Sequence, residues 1–236
     1  MSRSDADQRQ QRLLPWMQRT RLKGRCLPLL ISLVALLALY PYLERGHEHS
    51  TLVRLLFSIV PLAGVYAVST RRLTMVIACV LAVPFLGYEW LPKLAGHTSA
   101  DRLLHLGVLV FYAFTTLTIL DHVLRGPTMS DDKIYGAISV YLLLGLTFCT
   151  AYMLIESIEP GTFVVSSTHD PDGVLNWSDL LYFSFVTLTT LGYGDITPIT
   201  SKARSLAFLE AATGVMYVAV LIARLVASAS RSSGDD

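Results

Sequence analysis

The sequence predicts an all-α membrane protein with six transmembrane helices and a short re-entrant segment between the fifth and the sixth. Two observations carry this prediction. Of the 236 residues, 53% are hydrophobic and only 16% are charged, and the mean hydropathy is +0.50, which is a composition typical of membrane proteins. In addition, apolar runs long enough to cross a bilayer follow one another along the chain.

The six apolar runs are separated by short polar connectors. They lie at about Leu27–Leu43, Leu52–Ser69, Leu73–Leu91, Leu103–Leu124, Ile134–Ile155 and Ala203–Ala227.

The positive charges place both termini in the cytosol. When the chain starts inside, the connectors alternate, and six of the 19 Lys and Arg residues fall on outer segments while the others fall on inner ones. This bias follows the positive-inside rule. The outer residues are Arg45, Arg54, Lys93, Arg102, Lys202 and Arg204. We therefore expect a multi-pass protein of the cell membrane, and the short chain is typical of a prokaryotic inner membrane.

The N-terminal segment, residues 1–26, is rich in arginine with apolar residues in between. Two interpretations are open: an amphipathic helix on anionic inner-leaflet lipid, or a solvated basic tail. A signal peptide is a third, although no convincing cleavage site follows the first apolar run.

The three cysteines, Cys26, Cys79 and Cys149, lie far apart in apolar runs. Their spacing suggests neither a disulfide framework nor a metal site, so we expect small buried residues.

One polar segment, Val186–Pro198 (VTLTTLGYGDITP), stands between the last two apolar runs. Gly192 and Gly194 are separated by one residue, so the backbone can take alternating signs of φ that a Cβ would oppose. Successive carbonyl groups could then point to one side. When several copies meet, these carbonyls would form rings of oxygen that replace the water around a cation.

The sequence TTLGYGD resembles the selectivity filter of the tetrameric potassium channels, in particular the bacterial six-transmembrane type with one pore segment per chain. The resemblance implies a homotetramer, because the chain carries a single filter motif. Leu191 stands where many members have Val or Ile, so we expect it to alter packing behind the filter before it alters selectivity. The implied filter is Thr190, Leu191, Gly192, Tyr193 and Gly194, with K+ at the first four residues and Asp195 at the outer mouth.

The residues before the filter predict a short amphipathic helix with Asn176 or Ser178 as its N-cap and Asp179 in its first turn. It is too short to span a bilayer. The resemblance implies that it is the pore helix, whose C-terminal end favours a cation in the central cavity. Its aromatic residues would form a cuff around the filter: Tyr182, Phe183 and Phe185.

The sixth apolar run resembles the inner helix of small bacterial potassium channels. Gly214 falls where that family often has a hinge glycine, and a plain helix contact is the alternative. Onward from Gly214, helical spacing places Val215, Val218 and Ile222 near one face, as candidates for the cavity and the inner gate. Such an apolar lining could close by dewetting.

Glu210 is a carboxyl group inside the sixth run, where a charge is costly and needs a partner. We hypothesise that it lies behind the pore helix, hydrogen-bonded near Thr187 or Ser184, as a filter brace or a proton sensor. The alternative is a half-hydrated residue just below the outer interface.

The fourth apolar run lacks the arginine at every third position that a voltage sensor requires. Arg102 and Arg125 lie only at its ends, and its interior carries His105, Asp121 and His122. We therefore expect weak or absent voltage dependence. Asp121 and His122 could sense protons, and interfacial anchoring is the alternative.

Together these features predict a passive, potassium-selective channel whose partners are three further copies of itself, membrane lipid and K+. We expect no cofactor, no nucleic-acid partner and no enzymatic activity. The predicted parts are a basic segment at 1–26, a four-helix domain at 27–125, a pore domain at 133–228 and a short cytosolic tail at 229–236, with no room after it for a cytosolic gating domain. Three alternatives remain: a nonselective cation channel, a potassium uptake transporter subunit and a non-conducting membrane scaffold.

Overall fold

A computed structural model describes residues 24–44, 51–69, 72–90, 98–125, 130–165 and 175–232. The basic segment predicted at 1–26 lies almost entirely outside these residues, as do positions 233–236 of the predicted tail. The elements are α1 (Cys26–Glu44), α2 (Thr51–Val68), α3 (Arg72–Trp90), α4 (Thr98–Leu124), α5 (Asp131–Ile158), β1 (Phe163–Val165), α6 (Trp177–Leu188), β2 (Ile196–Pro198) and α7 (Ser201–Ser232).

The six long helices coincide with the six predicted apolar runs, so the prediction of a mostly helical membrane protein is confirmed. Three stretches are long and apolar enough to cross a membrane: Arg102–Leu124, Asp131–Ile158 and Ser201–Ser228. The other three are shorter apolar helices: Cys26–Tyr40, Arg54–Val68 and Arg72–Gly87. The chain is a membrane-embedded helical protein.

The first four helices pack in chain order, and α5 closes the group by contacting both α1 and α4. The core between them is almost entirely apolar, with Leu29, Leu33 and Leu36 of α1 fully buried. Helix α6 then lies between α5 and α7. It also reaches the first helices, because the Trp177 ring packs edge-on against Tyr40 of α1 at 4.6 Å between centroids.

Helix α6 begins with a full capping box. The Asn176 side chain accepts hydrogen bonds from the backbone N–H groups of Ser178 and Asp179, and the Asp179 carboxylate accepts one from the N–H of Asn176. These bonds satisfy N–H groups that have no partner inside the helix. Of the two predicted caps, Asn176 is therefore the N-cap.

Two short strands hold the far end of the segment between α6 and α7. β1 and β2 pair antiparallel, with Val164 opposite Thr197, and the N–H of Ile199 donates to the carbonyl of Thr162 at 2.8 Å. The chain between Leu188 and Ile196 is thus attached at both ends while its middle stays exposed.

Candidate functional site

The candidate site is the segment Thr190–Asp195, which joins α6 to β2 and in which the sign of φ alternates. φ is 60° at Thr190, 56° at Gly192 and 78° at Gly194, whereas Leu191 and Tyr193 do not have positive φ. Because each change of sign turns the next peptide plane over, this alternation lets successive carbonyl oxygens point to the same side of the backbone.

Thr190 is the only residue other than glycine with positive φ among the described residues. A β-branched side chain opposes that conformation, and holding it costs on the order of 1–3 kcal/mol. Strain of this kind persists only where the surrounding structure fixes it.

Hydrogen bonds to the end of α6 fix this segment. The Val186 carbonyl accepts from the N–H of Leu191 at 2.9 Å and from that of Gly192 at 3.4 Å, and the Thr187 carbonyl accepts from the N–H of Thr190 at 2.9 Å. The first three N–H groups of the segment, those of Thr190, Leu191 and Gly192, are therefore bound to carbonyls of α6. Its exposed side is free to present carbonyl oxygens to a cation.

Tyr182 and Asp195 meet beside the exposed segment. The Tyr182 hydroxyl donates to Asp195 Oδ2 at 2.7 Å, and the Tyr182 ring is stacked on Tyr193 with 6.4 Å between centroids. The hydrogen bond to Asp195 raises the pKa of Tyr182 to about 12. The contact with Asp195 therefore joins α6 to the end of the segment at neutral pH.

The three predicted cuff aromatics do not share one face of α6. Only Tyr182 lies beside the candidate site. Phe183 is buried and packs edge-on against Tyr152 of α5 at 5.1 Å between ring centroids. The Phe185 ring packs against Gly145 of α5, so closely that a Cβ added to this glycine would lie 2.7 Å from the ring. Within one chain, Phe183 and Phe185 therefore hold α6 against α5.

Glu210 of α7 is fully buried against α5 and α6. The Ser184 hydroxyl lies 2.5 Å from its Oε1, and the Tyr152 hydroxyl donates to its Oε2 at 2.5 Å. Ser184, one of the two expected partners, is thus in contact with Glu210, whereas the half-hydrated alternative does not fit a residue without exposed surface. The role of Glu210 as brace or proton sensor stays a prediction.

The number of protons in this network favours a neutral Glu210. The Ser184 hydroxyl also lies 2.7 Å from the carbonyl oxygen of Gly145. A hydroxyl carries one proton and the carbonyl carries none, so Ser184 cannot donate to Gly145 and to Glu210 at the same time. Both contacts are satisfied when a protonated Glu210 donates to Ser184 and Ser184 donates to Gly145.

At Gly214, α7 packs against the end of α6. A Cβ added at this position would lie 2.2 Å from the carbonyl oxygen of Leu188, the last residue of α6. That distance is far below van der Waals contact, and the obstructing atom belongs to the backbone. The plain helix contact is therefore a sufficient reason for this glycine, and the hinge stays a prediction.

The three predicted gate residues, Val215, Val218 and Ile222, are 57%, 41% and 55% exposed. They lie on a face of α7 that no described part of this chain covers. Further along α7, Arg224 donates a hydrogen bond to the carbonyl of Leu124 at the end of α4. The last turns of α7 are thus attached to the first four helices.

Sequence reasoning missed Tyr152 and Gly145 as members of the Glu210 network. Tyr152 is 58 positions from Glu210 and Ser184 is 39 positions from Gly145. A buried tyrosine hydroxyl needs a hydrogen-bond partner, and this need was the only feature of the sequence that could have pointed to Tyr152 as a member of the network.

Known proteins resemble the second half of the chain. A family profile described as "Ion channel" matches residues 140–231, which include α6, the candidate site and nearly all of α7. No solved structure matches.

Among similar proteins, Protein LctB of Bacillus caldotenax is 33% identical over 99 residues, which cover 42% of this chain and 73% of LctB. Two pore potassium channel c of Oryza sativa subsp. japonica is 38% identical over 88 residues, or 36% of this chain and 16% of that protein. Inward rectifier potassium channel Kirbac3.1 of Paramagnetospirillum magnetotacticum is 31% identical over 96 residues, or 39% of this chain and 28% of the channel.

The chain thus spans less than a third of the length of these two named potassium channels. Ion channels are not enzymes, so the prediction that this protein is not an enzyme is confirmed. The matched profile, the coverage of LctB and the named relatives together show that the chain belongs to the potassium channel family.

Proposed function

We propose that four copies of this chain form a potassium-selective pore that conducts K+ passively across the cell membrane. The observation that carries this proposal is the alternation of φ at Thr190, Gly192 and Gly194 in an exposed segment whose first three N–H groups are bound to carbonyls of α6. Rings of carbonyl oxygen from four such segments would replace the hydration shell of K+. The proposed ion sites are at Thr190, Leu191, Gly192 and Tyr193, with Asp195 at the outer mouth.

The fourfold assembly is proposed because a ring of carbonyls needs several copies of a segment that occurs once in the sequence. In such an assembly the exposed face of α7 with Val215, Val218 and Ile222 would be available to line the central cavity. In this arrangement α5, α6 and α7 form the pore domain, with α6 as a re-entrant pore helix. The other four long helices surround it.

The proposed topology has six spans with both termini in the cytosol, and lipid and K+ as the other partners. The pore works without a cofactor. We further propose that voltage dependence is weak. Arg102 of α4 donates to the carbonyl of Ser157 at 3.2 Å. Arg125, the residue after α4, pairs with Asp121 at 2.7 Å, so the arginines at both ends of this helix have partners.

The test is ion flux from liposomes that contain the purified protein, with either K+ or Na+ as the only permeant cation. The disrupting variant is Gly192→Asp. A matched control is Gly161→Asp, because Gly161 also has positive φ, at 83°, with open space around it. We expect K+ flux that Gly192→Asp abolishes and Gly161→Asp retains.

Other outcomes identify the alternatives. Equal K+ and Na+ flux would favour a nonselective cation channel. Assembly without flux at any pH or membrane tension would favour a scaffold. Accumulation of K+ against its gradient would favour an uptake transporter.

A further inference from the structure

Three side chains with metal-binding chemistry meet where α1 and α5 begin and α4 ends. Cys26 is the first residue of α1, His122 lies in the last turn of α4 and Asp132 lies in the first turn of α5. One ligand atom from each, the thiol sulfur, an imidazole nitrogen and a carboxylate oxygen, lie within 4.8 Å of one another. This cluster is outside the candidate pore segment.

The donor atoms of the cluster are buried and incompletely satisfied. Asp132 is 7% exposed, and its Oδ1 accepts a hydrogen bond from the N–H of Cys26 at 3.0 Å. Oδ2 of Asp132 and Nε2 of His122 are both buried and have no hydrogen-bond partner among the described residues. These two atoms are 3.6 Å apart, which is too long for a hydrogen bond.

Two cations adjoin the cluster in the sequence, and each donates to a backbone carbonyl. Arg25 donates to the carbonyl of Ser69 at 2.7 Å, and Lys133 donates to the carbonyl of Arg125. A buried carboxylate needs a counter-charge. Within the cluster His122 faces it, with Nε2 3.6 Å from Asp132 Oδ2.

The space for the cysteine sulfur is also built into α5. Gly136 lies one turn after Asp132, and a Cβ at this position would be 3.2 Å from the Cys26 sulfur and 3.1 Å from Val123. Both contacts are tighter than ordinary van der Waals distances. A larger residue at position 136 would therefore have to shift Val123 or the sulfur by a few tenths of an ångström.

The ligand set identifies the kind of ion. A thiolate, an imidazole and a carboxylate suit a divalent transition metal of the zinc class, whereas Ca²⁺ and Mg²⁺ prefer oxygen ligands alone. A thiolate and a carboxylate also balance the two positive charges of the ion, so the bound site is neutral in a buried environment. Binding displaces the thiol proton of Cys26 to solvent.

We propose that Cys26, His122 and Asp132 bind one zinc-class metal ion per chain, with a water molecule in the fourth position. The ion connects α1, α4 and α5, whose ligands lie as far apart in the sequence as Cys26 and Asp132. Since Arg224 of α7 binds the carbonyl of Leu124, two residues after His122, the site adjoins the attachment of the inner helix.

The test uses the purified full chain in detergent, with any affinity tag removed, stripped of metal and kept reduced with a phosphine. Co²⁺ is the probe, because a bound thiolate gives a thiolate-to-cobalt charge-transfer absorption. We expect one Co²⁺ per chain with this absorption, displaced by one equivalent of Zn²⁺, and a higher melting temperature when either metal is bound.

Each ligand has a matched control. Cys26→Ser, His122→Ala and Asp132→Asn should each weaken binding at least about 100-fold, since even the loss of a group that only supports a ligand costs about 10–100-fold. Cys79→Ser, His105→Ala and Asp131→Asn should leave binding unchanged. Absence of the charge-transfer absorption in the wild-type protein would overturn the proposal without any variant. Binding that Cys26→Ser and His122→Ala leave intact would place the metal elsewhere and would also overturn it.

Discussion

Removing the Glu210 side chain should destabilise the packing of α5, α6 and α7 against one another. In Glu210→Ala, the fully buried Tyr152 hydroxyl loses its partner, which costs about 1–3 kcal/mol. The cavity left is on the order of 50 Å3, which adds about 1 kcal/mol at 24 cal/mol per Å3. Ser184 keeps its bond to the Gly145 carbonyl. The expected total is thus about 2–4 kcal/mol.

Glu210→Gln is the matched control, because glutamine has the shape of a neutral glutamic acid. Its amide nitrogen can donate to Ser184 and its oxygen can accept from Tyr152. The network of the protonated form is then preserved, and we expect a loss of less than about 1 kcal/mol. If Glu210 were instead an ionised residue with poor partners, both substitutions would be neutral or stabilising.

The assay is thermal unfolding in detergent micelles, followed by tryptophan fluorescence, alongside K+ and Na+ flux from liposomes. A loss of 2–4 kcal/mol corresponds to a melting temperature lower by about 5–15 °C. We expect this shift and a reduced preference for K+ over Na+ in Glu210→Ala, and neither change in Glu210→Gln. Equal melting temperatures and equal selectivity for the two variants and the wild type would refute the bracing argument.

Three further predictions concern the contacts of α6 and α4. Gly214→Ala should lower the free energy of unfolding by about 1–3 kcal/mol or more, because its Cβ would meet the Leu188 carbonyl at 2.2 Å. The loss is measured as a lower melting temperature, which the control Gly87→Ala, in open space on α3, should leave unchanged. Tyr182→Phe removes the hydrogen bond to Asp195 and should shorten single-channel openings, and identical openings in variant and wild type would contradict this role. Raising the pH towards 9 should not have the same effect, because the pKa of Tyr182 is raised to about 12 and the phenol keeps its proton below that value. Conductance should change little with membrane voltage in planar bilayers, and a steep change over a few tens of millivolts would show that α4 moves charge.

The sequence by itself determined the helices, the capped short helix and the glycine pattern of the candidate site. Each of these depends on residues that are neighbours in the chain: apolar runs, a cap with its acidic residue three positions on, and two glycines one residue apart. The capping box at Asn176 and the positive φ of Gly192 and Gly194 are the particular local features that the structure contains.

The tertiary structure alone decided which distant side chains meet. Tyr152 and Glu210 are 58 positions apart, and Cys26 and Asp132 are 106 positions apart, so no local pattern in the sequence connects them. Gly214 likewise has the same local sequence whether or not a neighbouring backbone lies against it. Only the packing of the helices shows that a Cβ there would lie 2.2 Å from the carbonyl oxygen of Leu188. Contacts of this kind are set by how the helices pack, which depends on the shapes of all the buried side chains together.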